Sequence, residues 1–166
     1  YMVFHPSASC VSKKWAPDCL AAVADQLARA YEILPVIIGD GPQGVFDASR
    51  MQEFMKEQAL NLSGKLNLGM LGWLLKNARL LISNDSGPVH IASAVGTPVI
   101  SIFGRSQPGL SAMRWRPLSS NSSFLQKDVG CVECLAHLCQ IDFKCLKELQ
   151  VEEVLEEARK YEALLV

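Results

Sequence analysis

The sequence lacks the features that would assign it to a membrane or to nucleic acid. No apolar run reaches the roughly 20 residues that a membrane-spanning helix requires. The first residues also lack the charged and then apolar order of a signal peptide. The net charge is −1, so there is no excess of basic side chains to bind nucleic acid or an acidic membrane surface. We expect a soluble protein without a nucleic-acid partner.

Internal repeats and low-complexity tracts are also absent, and the composition is that of a folded domain. Hydrophobic residues make up 49% of the 166 residues, which is enough to bury a sizeable core in a single domain. Met2 already lies within a predicted strand, so we expect residues 1–166 to be one domain of a longer protein.

Short apolar segments alternate with segments of helical periodicity along the sequence. This pattern predicts an α/β fold with a parallel, Rossmann-like sheet, whose ligands bind beyond the carboxyl ends of the strands. Pro35 lacks an N–H donor, so we expect pairing of its strand to begin after it or to lie near a sheet edge. Gly39, Gly41 and Gly44 predict a turn. The predicted strands are 2–5, 33–39, 60–62, 79–83 and 97–104, and the predicted helices are 17–31, 51–55, 68–75 and 88–96.

Residues 83–90 lie between two apolar strands and open a short helix, an arrangement that builds an anion site. Gly87 lets the backbone approach a ligand closely, and His90 in the first helical turn can donate to an oxygen atom. The N–H groups of that turn favour negative charge, so the loop predicts a phosphate-bearing ligand. A helix start capped by Asp85 or Ser86, without a ligand, uses the same residue types and is the alternative.

This loop is part of a wider pattern of residues along the sequence. It comprises Asp85-Ser86-Gly87, His90, Ala92, Ala94, Gly96, Pro98-Val99, Phe103-Gly104, Pro108, Lys13-Lys14-Trp15, Asn61-Leu62-Ser63-Gly64 and a helix over 151–158. This pattern resembles the donor-binding half of the bacterial heptosyltransferases, glycosyltransferase family 9, over nearly the whole chain. The resemblance implies one Rossmann-like half of a GT-B type enzyme that transfers heptose from ADP-heptose to the lipopolysaccharide core.

The resemblance also implies how this chain and its partners divide the reaction. Residues 1–166 would form the C-terminal nucleotide-sugar-binding domain of an inverting glycosyltransferase. The catalytic base and the lipopolysaccharide-core acceptor site would lie in an N-terminal domain that this chain does not contain, so the fragment alone should not turn over. We expect a cytoplasmic enzyme with at most peripheral membrane association. No cofactor is expected, because an ammonium group and oriented N–H groups can stabilise a leaving diphosphate without a metal ion.

Lys13 is the residue to which the resemblance gives a catalytic role, contact with the donor diphosphate. The predicted donor-binding residues are Asp85, Ser86, Gly87, His90 and Arg105. Asp85 is expected to orient the loop or a sugar hydroxyl, because two anions would repel each other. Arg105 departs from the family pattern and can add a phosphate contact. Lys14 is predicted to be a solvated surface lysine, Trp15 a packing residue, and His5 a strand-end residue without a role.

Four of the six cysteines lie in a tail segment, residues 128–147, as Cys131-x2-Cys134-x4-Cys139-x5-Cys145. The spacing is compact enough for one zinc ion, but it lacks the paired Cys-x2-Cys knuckles that make such spacing specific. A loop held by thiol packing or by a disulfide bridge is the alternative, and no metal ligand is assigned.

Two other functions fit the same pattern. A nucleotide-sugar epimerase of the same architecture would bind a uridine nucleotide and need a pair of acid-base carboxylates, which this sequence does not obviously supply. A non-catalytic binding module with a metal-held tail would use the loop only as a helix start. Gln43 stands where an acidic residue often contacts the nucleoside, so the nucleotide and sugar stay open.

Overall fold

The computed structural model describes residues 1–131, 134 and 137–165, which fold around a six-stranded sheet. Its strands are β1 Met2–His5, β2 Pro35–Ile37, β3 Leu60–Asn61, β4 Leu81–Asn84, β5 Val99–Phe103 and β6 Ser122–Gln126. They lie in the order β3-β2-β1-β4-β5-β6, and all neighbours are parallel. This is the doubly wound order of a Rossmann-like fold, so the predicted α/β class is confirmed.

Helices connect the strands and cover both faces of the sheet. They are α1 Pro17–Tyr31, α2 Gly41–Phe54, α3 Leu68–Lys76, α4 Gly87–Val95, α5 Ala112–Trp115, α6 Lys144–Lys147, α7 Val151–Arg159 and α8 Glu162–Leu165. A 3-10 turn, Val11–Lys13, follows β1. In the described part of the chain, no helix is both long and apolar enough to cross a membrane.

The two faces of the sheet carry separate hydrophobic cores because successive strand side chains point in opposite directions. Met2 and Phe4 of β1 pack with residues of α1, α2 and α7 in the larger core. Val3 packs with residues of α3 and α4 in the smaller one. His5 has the same parity as Val3, so its side chain belongs to the α3 and α4 face at the carboxyl end of β1.

Of two local expectations for the segment from Pro35 to Gly44, the one for Pro35 is confirmed in part and the glycine turn is wrong. β2 pairs with β1 from Pro35 itself, and it lies next to the edge strand β3, near the sheet edge as expected. Pro35 fits because the Met2 N–H donates to the carbonyl of Leu34, and β3 pairs only from Val36 onward, so no ladder bond needs an N–H at Pro35. The predicted glycine turn is instead the start of α2, where Gly41 has a φ of 64°.

Candidate functional site

A cavity of about 560 Å³ lies at the carboxyl edge of β1 and β4, where the strand order changes direction. Ligands of open α/β sheets bind at this position, and the volume suits a nucleotide-sized molecule. The polar lining includes His5, Ser7, Ser9, Lys13, Asp40, Gln43, Asp85 and Ser86, and the apolar lining includes Ile38, Leu66, Leu71 and Ile91. Gly87 also borders the cavity.

Lys13 and Asp85 meet at one wall of the cavity. The Lys13 ammonium lies 2.8 Å from Oδ2 of Asp85 and 3.4 Å from its backbone carbonyl oxygen. Asp85 is buried, and Nη2 of Arg105 lies 3.5 Å from the same carboxylate oxygen. Two cations therefore share one carboxylate, which leaves this group of three side chains with a net positive charge. That excess charge suits an anionic ligand.

No side chain among the described residues caps the start of α4. Ser86 occupies the cap position in an extended conformation, but its side chain makes no capping hydrogen bond. Its Oγ instead lies 2.8 Å from Nδ1 of His5 and donates to the carbonyl of Asn84. The Asp85 carboxylate is paired with Lys13. Capping by the side chain of Asp85 or Ser86 is therefore wrong, and the N–H of Gly87, a residue that borders the cavity, is left without that competitor.

His5 is a site residue that the sequence analysis gave no role. It is buried at the end of β1, lines the cavity and bonds Ser86. Burial lowers the pKa of His5 from 6.5 to about 4, and the nearby Asp47 carboxylate opposes this effect. The imidazole is consequently neutral at physiological pH. Its place at the end of β1, the strand that pairs with β4, was the signal that could have revealed it.

Four of the six predicted residues line one cavity: Lys13, Asp85, Ser86 and Gly87. The other two, His90 and Arg105, do not line it. His90 is exposed, and its ring packs edge-on against Trp115 with ring centroids 6.1 Å apart. Arg105 is buried and reaches the site only through Asp85. The predicted phosphate contacts of both residues stay predictions.

Lys14 is tied into a separate polar cluster around Asp47. Its ammonium lies 2.6 Å from Oδ2 of Asp47, to which the Ser7 hydroxyl also donates at 2.7 Å. Gln43 donates to the other carboxylate oxygen at 2.8 Å. Lys14 is thus partly buried and paired, in contrast to the predicted solvated lysine. Asp47 balances the charge of Lys14, which does not line the cavity, whereas Lys13 does line it.

Trp15 and Asn84 fix the turn that carries Lys13. The Asn84 amide accepts the backbone N–H of Trp15 at 3.0 Å and donates to the carbonyl of Pro6 at 2.7 Å. The buried Trp15 indole donates to the carbonyl of Leu149 at 3.1 Å. The predicted packing role of Trp15 is confirmed. These bonds hold the Lys13 turn against the end of β4, which preorganises the ammonium group.

A second, much smaller cavity of about 30 Å³ lies beside Arg105 and is bordered by the cysteine-rich tail. The lining residues include Arg105, Lys127, Cys131, Cys134, Cys139 and Cys145. No disulfide bond links any of the six cysteines, all of which lie among the described residues. Within the predicted tail 128–147, residues 132–133 and 135–136 lie outside the described ones. No group of three or more His, Cys, Asp or Glu among the described residues is already arranged to hold a metal ion.

Comparisons with known proteins agree on one family. The sequence profile described as glycosyltransferase family 9 (heptosyltransferase) matches residues 1–144. Lipooligosaccharide heptosyltransferase 2 of Campylobacter jejuni serotype O:6 is 30% identical over 161 residues, which are 94% of this chain and 49% of the relative. Lipopolysaccharide heptosyltransferase 3 of Escherichia coli is 37% identical over 126 residues, 73% of this chain and 35% of the relative. The chain spans half or less of these curated relatives.

Solved structures share the fold. The glycosyl transferase family 9 protein from Veillonella parvula superposes with a TM-score of 0.77 at 24% identity, over 99% of this chain and 45% of that one. E. coli heptosyltransferase WaaC with ADP gives a TM-score of 0.76 at 20% identity, over 97% and 44%. At these identities, the structural likeness supports the fold alone. The family assignment rests on the sequence profile, which matches most of the chain. The chain belongs to glycosyltransferase family 9.

Proposed function

We propose that this chain is the nucleotide-sugar donor-binding domain of an inverting glycosyltransferase that transfers heptose from ADP-heptose to the lipopolysaccharide core without a catalytic metal ion. One observation carries the proposal: Lys13 and the uncapped start of α4 border the same cavity at the switch point of the sheet. Relatives named as heptosyltransferases support the sugar. The chain spans half or less of their length. We assign the acceptor site and the catalytic base to the remaining part, as the resemblance to the family implies.

The charges at this end of the cavity suit a diphosphate. When the bond between the sugar and the diphosphate breaks, negative charge grows on the departing β-phosphate. The Lys13 ammonium and the backbone N–H of Gly87 stabilise that charge, and the dipole of α4 adds to this effect. Arg105 helps indirectly, because it shares the Asp85 carboxylate and so leaves Lys13 less neutralised. This positive charge performs the work that a divalent cation does in other transferases.

The remainder of the cavity suits a nucleoside. Ile38, Leu66, Leu71 and Ile91 supply an apolar wall for a flat base. Gln43 and Asp40 lie on the rim, where an amide and a carboxylate can bond ribose hydroxyls. In the transfer itself, the acceptor hydroxyl oxygen bonds to the anomeric carbon as the diphosphate leaves from the opposite face, which inverts that carbon. The hydroxyl proton passes to a base of the acceptor half. We place this reaction in the cytoplasm, at the membrane surface at most.

Calorimetric titration of the chain with ADP, UDP and GDP tests the donor site. We expect ADP to bind in preference to the other two nucleotides. Replacing Lys13 by Ala removes a charge-assisted hydrogen bond worth about 1.5–3 kcal/mol, so ADP affinity should fall roughly 10- to 150-fold. Lys14→Ala is the matched control, because the neighbouring ammonium is paired with Asp47 and does not line the cavity. It should change ADP affinity less than about threefold.

Equal losses of affinity in the Lys13 and Lys14 variants would contradict the assigned role of Lys13. A preference for UDP would favour the epimerase-like alternative over an ADP-sugar donor. Circular dichroism of each variant separates a loss of binding from a loss of folding.

A further inference from the structure

The two faces of the sheet differ in charge. α1, α2 and α7 cover the face of the larger core and carry eight acidic side chains, Asp18, Asp25, Asp47, Glu53, Glu152, Glu153, Glu156 and Glu157. α3 and α4 cover the other face, and the one Asp, Glu, Lys or Arg in these two helices is Lys76. Between Gln58 and Lys127 the sequence contains one acidic residue, Asp85, which is buried. The net charge of −1 averages the two faces and hides this difference.

α3 is apolar on its outer side, where a surface helix is ordinarily polar. Leu68 is 72% exposed, Trp73 is 68% exposed, and Met70 is exposed as well. Met70 and Trp73 are three positions apart, so they share one side of the helix. The opposite side is buried through Leu74 and Leu75. Because a helix with apolar side chains on all sides is normally covered, we expect another surface to lie against α3.

α4 and α5 extend this apolar surface. α4 packs against α3, and the ring of Trp115 in α5 lies edge-on against His90 of α4. Met113, Trp115 and Leu118 are all exposed. We call the outer side of α3 and α4, together with residues 113–118, the α3–α5 face. Single exposed apolar residues need no explanation, whereas two tryptophans among large aliphatic side chains on adjoining helices mark an interaction site.

Positive charges accompany these apolar side chains. The guanidinium of Arg114 lies 5.2 Å from the centre of the Trp115 ring. The guanidinium of Arg116 lies 6.0 Å from the centre of the Phe124 ring. In the part of the chain that the structure describes, the exposed Lys76, Arg114 and Arg116 form no ion pair. Their charges are therefore available to anionic groups outside the chain.

This combination of side chains fits a lipid bilayer with anionic headgroups. Tryptophan favours the headgroup level, where one side of its ring is apolar and the other is wet. Lysine and arginine are attracted to anionic lipids, and apolar side chains beside them enter the boundary of the acyl chains. A protein partner would need an acidic patch next to an apolar one in a matching shape, whereas a bilayer offers both over its whole surface.

We propose that the α3–α5 face docks this domain on a bilayer surface that carries anionic phospholipids. Trp73, Met113 and Leu118 enter the headgroup layer, while Arg114 and Arg116 contact lipid phosphates. The inference goes beyond the proposed donor site and can fail separately from it, because lipid binding is measured without nucleotide. It gives the membrane surface to which we assign the proposed reaction a defined contact on this domain.

Sedimentation with vesicles tests the docking. The chain, and the longer enzyme of which we propose it is one part, are each mixed with vesicles of equimolar phosphatidylethanolamine and phosphatidylglycerol, and with vesicles of phosphatidylcholine. We expect both proteins to bind the anionic vesicles at least about tenfold more tightly than the neutral ones. Added salt should reduce this difference. Equal binding to the two kinds of vesicle, or no binding to either, overturns the proposal.

Paired arginine substitutions locate the contact. Arg114→Ser combined with Arg116→Ser should lower the affinity for anionic vesicles by about tenfold or more. Arg50→Ser combined with Arg159→Ser is the matched control, because these exposed arginines lie on α2 and α7 of the opposite face and their removal changes the net charge equally. The control should keep the affinity within about threefold. Equal losses in the two pairs would show that total charge alone decides binding, and would overturn the assigned face.

Tryptophan fluorescence gives a second readout that needs no arginine variant. The three tryptophans are Trp15, Trp73 and Trp115, and Trp15 is buried. Lipids brominated on their acyl chains should quench the fluorescence of the bound chain. In the double variant Trp73→Phe and Trp115→Phe, which keeps aromatic rings, the quenching should disappear while the vesicles still bind. Unquenched fluorescence of the bound, unsubstituted chain overturns the proposal. Loss of vesicle binding in the longer enzyme also overturns it, because the other part would then cover the face.

Discussion

The cavity at the switch point of the sheet is lined by a neutral histidine and a charged lysine. His5 is buried and bonded to Ser86, whereas Lys13 balances the buried Asp85. Keeping His5 neutral leaves the Lys13 ammonium as a positive charge on the wall of the cavity. The low pKa of His5 is thus coupled to the stability of the fold as well as to the electrostatics of the site.

The pH dependence of stability follows from this coupling. Between pH 6.5 and about 4 the unfolded chain protonates His5 while the folded chain does not, so stability is present above pH 6.5 and is lost as the pH falls. From pH 7 to pH 5 this side chain should cost about 2 kcal/mol of the free energy of unfolding. Urea denaturation of His5→Gln at pH 7 and pH 5 should show a loss of unfolding free energy that is about 2 kcal/mol smaller than the loss in the unsubstituted chain.

His137→Gln is the matched control for this experiment, because the His137 side chain is exposed in the tail. It should keep the pH dependence of the unsubstituted chain. If His5→Gln also keeps it in full, His5 is not the group through which the fold senses pH.

Individual site residues could be predicted where a contiguous pattern carries them, and not where the fold brings distant residues together. Asp85, Ser86 and Gly87 lie in one loop, so their meeting at one cavity wall was readable from the chain. The contact of His5 with Ser86 spans 81 positions and depends on the pairing of β1 with β4. The outward position of His90 depends on packing against Trp115, which no local pattern indicates.

At the scale of the elements, α4 begins and ends for different physical reasons. Its first turn contains Pro88, whose missing N–H costs nothing there, and its start is left without a side-chain cap. Its end is fixed by Gly96, which has a φ of 88° and donates its N–H to the last turn. A helix positioned firmly at its carboxyl end can leave its amino end available to a ligand.

Substitution of Gly96 tests this arrangement. A Cβ at Gly96 would meet no atom within 4 Å, so the cost of Gly96→Ala is the left-handed backbone alone, about 1–2 kcal/mol. Gly72 lies inside α3, also with open space around a Cβ, and there Ala should stabilise by about 0.5–1 kcal/mol. The urea midpoint should therefore fall in Gly96→Ala and rise in Gly72→Ala. Shifts of the same sign would show that the left-handed backbone at Gly96 does not determine the change in stability.

The order of the elements was predictable because apolar strands and periodic helices alternate, and a parallel sheet follows from that alternation. The element boundaries near Gly39 could not be predicted in this way. A Cβ at Gly39 would lie 2.4 Å from the carbonyl oxygen of Gly44, so these glycines serve the close approach of α2 to the end of β2. Composition alone cannot distinguish such an approach from a turn, since both need glycine.

At the scale of the whole molecule, helix α7 packs a segment late in the sequence against elements that come much earlier. Val154, Leu155 and Ala158 are buried in the larger core, and α7 packs against α1 and β5. Trp15 adds a bond to the carbonyl of Leu149, just before this helix. The turn that carries Lys13 is therefore supported by a segment more than 130 residues away. We expect α7 to unfold together with the sheet, and the position of the Lys13 turn to depend on this helix.

Leu155→Ala tests this cooperativity. Truncating a buried leucine should lower the free energy of unfolding by about 2–5 kcal/mol, whereas Ala at Leu118, which is 88% exposed, should cost less than about 0.5 kcal/mol. If the molecule unfolds as one unit, hydrogen exchange of the most protected amides in β1 and β4 should accelerate by the same free energy that urea denaturation reports. A helix that frays by itself would expose only its own amides, and the sheet would keep its protection. In that case the support of the Lys13 turn by α7 would be local packing that the sheet does not need.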